Sequence, residues 1–384
     1  MNKRKNKCCF FLAGTLASFI FVLQPTVYVV FAADPPNDAA PYIFTSIDIP
    51  TSRGEFGFTS LDDINDKGES VGNFVAGPVG FLLDEKTKFT EIECPGAINS
   101  TAAKAINNRT EISGFCFAGG KIHGFFRNKK GKYTLLDFPR ANLTEASGIN
   151  QDGQVVGDYR DSGGKFHGFF WDAGLFLTFD VPFLGATLTA PNAINNVGQI
   201  VGFYFDNNGT ESFPNGQTHG FLYDNGFFTS FDFPGATATL PMDINDHGQI
   251  VGIYADSDMV AHSFLLEDGK FTTFEVPFPG VVATDVSGIN NGGQIVGRYL
   301  ESNPDNIFNP FFNHGFIATP KTEPKSKFQL LISKQDDLSR AKRGGAALAL
   351  ALDGCSEESP KPGHITPTKL SRRWLFCSQT SNPK

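Results

Sequence analysis

Across 384 residues the chain carries 40 acidic and 32 basic side chains, and 40% of its residues are hydrophobic, 40 of them phenylalanine. That is ample for a large buried core. The negative charge concentrates in residues 33–320, which hold 34 acidic against 16 basic side chains; a surface of that sign repels nucleic acid and anionic lipid, and so excludes them as partners of this region.

The chain opens with Lys3-Arg4-Lys5-Asn6-Lys7, followed by an apolar run from Cys8 to Leu23, and Val30-Phe31-Ala32 stands before Ala33-Asp34. This basic, apolar and small-residue order predicts a secretory signal over residues 1–32, cleaved after Ala32. An uncleaved anchor is the rival reading, because more apolar residues follow Gln24-Pro25 up to Ala33. No other segment is long and apolar enough to span a bilayer, so no stable membrane span is expected after cleavage. The expected location is secreted, extracellular or periplasmic. Residues 33–41 read as a short linker.

From there to residue 320 one sentence recurs six times, opening on Asp63-Ile64-Asn65, Ala105-Ile106-Asn107, Gly148-Ile149-Asn150, Ala193-Ile194-Asn195, Asp243-Ile244-Asn245 and Gly288-Ile289-Asn290. The asparagines stand 42, 43, 45, 50 and 45 residues apart, a period that marks stacked supersecondary units. In the fifth unit, turns at Asp246-His247-Gly248 and Glu267-Asp268-Gly269 separate strand-like pieces. The pieces end at Asn245, run over 249–254 and 262–266, and finish with a half-exposed strand at 270–277. Four short antiparallel strands per unit, the inner ones more apolar, read as a propeller blade. Outer strands of the Phe-Thr-x-Phe-Asp-x-Pro kind number five for six repeats, and the missing copy stands at the other end as Phe44-Thr45-Ser46-Ile47-Asp48-Ile49-Pro50. The expected fold is therefore all-β, a six-bladed β-propeller of four-stranded antiparallel blades over residues 42–320, closed by an N-terminal strand completing the last blade.

The Gly-Ile-Asn opening, the Gly-Gln-Ile-Val-Gly strand and the His-Gly-Phe-Leu strand resemble the HAF-type extracellular repeats of bacterial secreted proteins. The resemblance covers roughly residues 42–320 and implies secretion and a propeller-like fold, and no reaction. The chain departs from the name-giving triplet, with His-Gly-Phe beginning at His123, His167, His219 and His314, His-Ser-Phe at His262, and Val79-Gly80-Phe81 in the first unit.

Of the six cysteines, Cys8 and Cys9 fall in the signal and Cys355 and Cys377 in the tail, while Cys94 and Cys116 occupy core slots and are expected as unpaired buried hydrophobes. The tail, residues 321–384, holds 12 basic and 6 acidic side chains and no repeat. It reads as a basic extension, disordered or holding a short helix.

No nucleotide-binding glycine loop, His-Glu-x-x-His or Gly-x-Ser-x-Gly is present, so neither a cofactor nor a metal is expected. The repeated histidines lie too far out to converge on one ion, and each is expected to hydrogen-bond within its own blade. The openings at Asp63 and Asp243 faintly resemble calcium loops but lack the full ligand set, and read as hairpin turns. Recognition is expected where the repeats differ. The connections Phe205 to Thr218 and Leu300 to Asn313 are the longest, and fall on the same face as the inter-blade connections Phe183 to Asn192 and Phe278 to Ser287. They nominate a ligand cleft with Phe205, Phe213, Phe308, Phe311 and Phe312 as apolar platforms and Asp206, Asn207, Asn303, Asp305 and Asn306 as polar partners. The first functional reading is a non-enzymatic secreted binding module for an extracellular glycan or protein. The alternatives are a polysaccharide hydrolase or lyase using Asp206, Glu211, Asp256, Asp258 or Asp305 as acid and base, and a structural envelope or matrix protein.

Overall fold

A computed structural model describes residues 29–32, 41–49, 59–74, 79–85, 88–207, 216–303 and 311–321. The rest of the expected signal, residues 33–40 of the linker and the tail beyond Lys321 lie outside the described residues. All regular elements within them are β-strands. They form antiparallel four-stranded sheets in a propeller-like arrangement.

Unit five shows the pattern, with strands Ala238–Ile244, Ile250–Ala255, Ala261–Glu267 and Lys270–Phe274. Each pairs antiparallel with the next. Units one to three are separate four-stranded sheets, and units four and five are joined by one parallel bridge, Thr218 to Ala238. Unit six contributes three strands of its own, Val281–Ile289, Ile295–Ser302 and Phe311–Pro320. Its outer position is taken by Tyr42–Asp48, antiparallel and in register from Tyr42 opposite Pro320 to Ile47 opposite Gly315. Val29–Ala32, from the segment read as a signal, pairs with the free edge of that strand.

Local chemistry explains the repeat. The turn after each asparagine needs a left-handed residue, supplied by glycine at Gly68, Gly153, Gly198, Gly248 and Gly293 and by Thr110 in unit two. In every unit the register between the first two strands slips by one residue just before Ile-Asn, as between Pro241 and Asp243. Such a bulge re-aims the residues that follow it. Phenylalanine on the third strand, Phe81, Phe125, Phe169, Phe221, Phe264 and Phe316, is wholly buried in all six units and anchors the apolar layers.

Cys94 and Cys116 are joined by a disulfide, which corrects the expectation that both stay unpaired. The slots of the two cysteines belong to consecutive units, and such slots share one apolar layer, as Val276 and Tyr299 do between units five and six. Comparison of both with a single unit hid that adjacency.

Candidate functional site: the loop face and the axis

The recurring openings meet at the centre. Asn65 Nδ2 donates to the carbonyl of Asn107, and the same bond runs from Asn107 to Asn150, to Asn195, to Asn245, to Asn290 and back to Asn65, at 2.9 to 3.4 Å. Each asparagine Oδ1 meanwhile accepts the amide four residues on, which seals its own turn. A second tier repeats the linkage, with the amide of Asn291 donating to Asp66 Oδ1 at 2.8 Å. Buried and doubly bonded, these side chains act as staples between units.

The cavity they leave is about 60 Å³, with Asn65, Asn107, Asn195, Asn245, Asn290, Asp63 and Asp243 in its wall. Sites for organic ligands run to several hundred Å³, so the axis is too narrow for a sugar or a peptide. Asp63 and Asp243 border it. Asp63 accepts the amides of Ile64 and Ile106, each at 2.7 Å, and Asp243 those of Ile244 and Ile289 at 2.8 and 2.7 Å. Both keep some surface toward the cavity, yet crowding by protein atoms raises their pKa values. Asp243 is pushed up to about 6 by burial, and Asp63 well above its ordinary range by burial and then by the charge of Asp243. These two openings are turns, as the sequence predicted, and their carboxylates link neighbouring units.

The five repeated histidines each lie between partners of their own sheet. Nδ1 of His123, His167, His219 and His314 sits 2.7 to 3.0 Å from Asp137, Asp180, Asp232 and Asp48, the acids of the Phe-Asp-x-Pro motif or its variants. His262 has Asp256 at 3.2 Å and Glu275 at 3.5 Å. In units three to six the imidazole also stacks on a second-strand tyrosine, Tyr159, Tyr204, Tyr254 or Tyr299, with centroids 4.9 to 5.2 Å apart. The expected hydrogen bond within the blade is present, and its partner was readable as the recurring acid before x-Pro. Among the described residues no three His, Cys, Asp or Glu side chains gather as a metal ligand set.

The nominated loops are shorter than their sequence limits. Phe205 pairs with Thr218, and in unit six pairing continues to Ser302 opposite Phe311. Asp206 is buried, accepts the Gln217 amide at 2.8 Å and lies 3.5 Å from His219. Asn207 donates its amide to the Gly185 carbonyl at 2.9 Å, and Ser302 donates to that of Gly280 at 3.1 Å. These bonds set the described ends of both connections beside the inter-blade turns, on the predicted face. Phe311 is partly exposed, Phe312 half-buried, and Asn303 buried. Glu211, Phe213, Asp305, Asn306 and Phe308 lie outside the described residues. Asp256 caps its own turn through the amides of Asp258 and Val260, each at 2.9 Å. The bond from Val260 is the chief cause of its lowered pKa, with His262 next.

One buried pair has no such support. Glu145 and Asp158 stand opposite each other on the first two strands of unit three. Burial, then the Glu145 charge, lifts Asp158 well above the usual carboxylate range; burial also raises Glu145, against the pull of Lys104. A raised folded-state pKa stabilises the fold at low pH, fully below the unfolded value near 4, and that contribution is lost as pH rises through the folded value. Asp158→Asn is therefore expected to leave stability at pH 4 nearly unchanged and to raise it by about 1 to 2 kcal/mol at pH 8, read by urea unfolding at both pH values.

No family model matches the chain, and no curated protein matches it. Among solved structures it is similar to a virginiamycin B lyase from Staphylococcus aureus, at 12% identity over 72% of this chain and 99% of that one, with a TM-score of 0.42. It is also similar to a gluconolactonase from Xanthomonas campestris, at 11% identity over 78% and 99% with a TM-score of 0.46. A third is the Aleuria aurantia lectin in complex with alpha-methyl-L-fucoside, at 11% identity over 65% and 93% with a TM-score of 0.37. The likeness lies in the propeller-like arrangement of sheets and carries nothing about chemistry.

Proposed function

We propose that the chain is an exported binding module, a six-bladed propeller of HAF-type repeats closed by residues 42–49, that recognises an extracellular glycan or protein through its loop face. The observation that carries this reading is the stapled axis. A centre reduced to about 60 Å³ by paired asparagines leaves recognition to the face where the variable connections meet the inter-blade turns. The hydrolase or lyase alternative gains nothing from Asp206 and Asp256, since each is tied to a turn and a histidine of its own unit.

A thermal-shift screen of the full chain against extracellular polysaccharides and soluble extracellular proteins tests the reading. A ligand present at about 100 times its Kd stabilises by about 2.7 kcal/mol. The expected result is a shift that disappears when residues 208–215 and 304–310 are replaced by short turns, with the unliganded melting point kept. A shift that survives both replacements contradicts these two connections as the part of the loop face that binds.

A further inference from the structure

The acidic charge is unevenly spread around the molecule. Residues 186–320, which span units four to six, hold 14 acidic residues and two basic ones, Lys270 and Arg298, so these units form a strongly acidic half. Lys270 sits opposite Glu267 in the turn between third and outer strands, at the end of the sheet away from the loop face. Arg298 is tied to Asp285 at 2.8 Å. Carboxylates do reach the loop face of these units. Glu275 is 62% exposed and Glu301 42%, and Asp258 is also exposed.

Apolar side chains stand among them. Met259 is 69% exposed, Val260 49%, Val282 54% and Phe311 38%. Their places follow from backbone bonds. Met259 belongs to the connection between second and third strands of unit five, where its amide donates to the Asp256 carbonyl at 3.0 Å. Thr237, in the turn arriving from unit four, donates its hydroxyl to that same carbonyl at 3.1 Å. The Ser302 to Gly280 bond sets the start of the first strand of unit six, which carries Val282, beside the end of the second, and Phe311 faces Ser302 across the ladder.

Exposed hydrophobes and carboxylates on one face, with no described lysine or arginine at that end of the sheets of units four to six, match a partner with the opposite sign and the same apolar character. We infer that the loop face of units five and six docks a cationic polypeptide segment in which lysine or arginine alternates with apolar residues. The cations meet Asp258, Glu275 and Glu301, and the apolar side chains cover Met259, Val282 and Phe311. This rests on the loop-face reading and names the class of partner. A neutral glycan leaves the carboxylates without counter-charge, and an acidic one is repelled.

The test measures binding to the full chain of a fluorescent peptide of alternating lysine and leucine, with dextran and alginate as rival ligands. The peptide is expected to bind, with affinity falling on the order of tenfold between low and high salt. Joint replacement Asp258→Asn, Glu275→Gln and Glu301→Gln is expected to weaken it roughly tenfold, as is Met259→Ser with Val282→Ser. The equal-charge control Asp172→Asn, Asp224→Asn and Asp268→Asn, at the opposite end of the sheets, is expected to change it less than about twofold. Each variant is first shown to keep the wild-type melting point. Equal weakening by the two charge triples overturns the inference, because attraction to an acidic protein in general then explains the binding. If dextran binds instead and Met259→Ser with Val282→Ser abolishes it, the loop face stands and the polypeptide partner falls. If nothing binds that face, both fall.

Discussion

Gly252→Ala is expected to destabilise the fold by roughly 3 kcal/mol or more. Gly252 lies in the second strand of unit five, and a Cβ there overlaps the carbonyl oxygen of Leu240 and comes within 2.7 Å of Phe264 Cζ. Leu240 sits in the neighbouring strand, in regular register just before the bulge, and Phe264 is wholly buried, so neither has room to move. The glycine is thus required by close approach of two backbones and not by its own φ. Gly248, four residues earlier, supplies the control. Its φ is +78° and a Cβ there meets nothing within 4 Å, so Gly248→Ala carries only the left-handed penalty of about 1 to 2 kcal/mol. Urea midpoints of the two variants separate packing from backbone conformation. Equal losses contradict the packing account.

Removal of residues 42–49 is expected to abolish the stable native state. Phe44, Ile47 and Ile49 are buried in it, each worth about 2 to 3 kcal/mol of apolar burial. Asp48 holds His314 at 2.7 Å, and Ser46 meets the Tyr299 hydroxyl at 2.9 Å. The sum approaches the whole stability of an ordinary domain, about 5 to 15 kcal/mol, and the strand Phe311–Pro320 is left as an unpaired edge prone to association. The shortened chain is expected to elute as aggregate on size exclusion. A shortened chain that stays monomeric with an unchanged melting point refutes closure by this strand.

The periodic features were legible because they obey fixed spacing. The four strands of unit five, the turns after each asparagine and the partnership of Tyr42–Asp48 with unit six all follow from the repeat and from the missing outer strand. The meeting of the asparagines at the axis was not legible. Radial position decides whether equivalent residues touch: the asparagines do at the centre, the histidines do not further out, and spacing alone does not report radius. The Cys94 to Cys116 bond was missed for a related reason, since contact between consecutive units does not show when both residues are aligned on one. Loop lengths were overestimated because Phe205 and Thr218, and Leu300 to Ser302 with Phe311 to Asn313, continue the ladder without hydrophobic alternation to announce it. The openings at Asp63 and Asp243 stood out in the sequence only as turns; their contact with the axial cavity did not, because it too depends on radius.

Amide hydrogen exchange of the intact chain tests the central claim, a ring closed by Tyr42–Asp48, most directly. If the ring is closed, amides of residues 42–48 and 311–319 exchange as slowly as those of the second strands at 200–205 and 250–255, because all open with the same global unfolding. Exchange of residues 42–48 within seconds, with units one to five still protected, shows instead an open array whose first strand is only loosely attached.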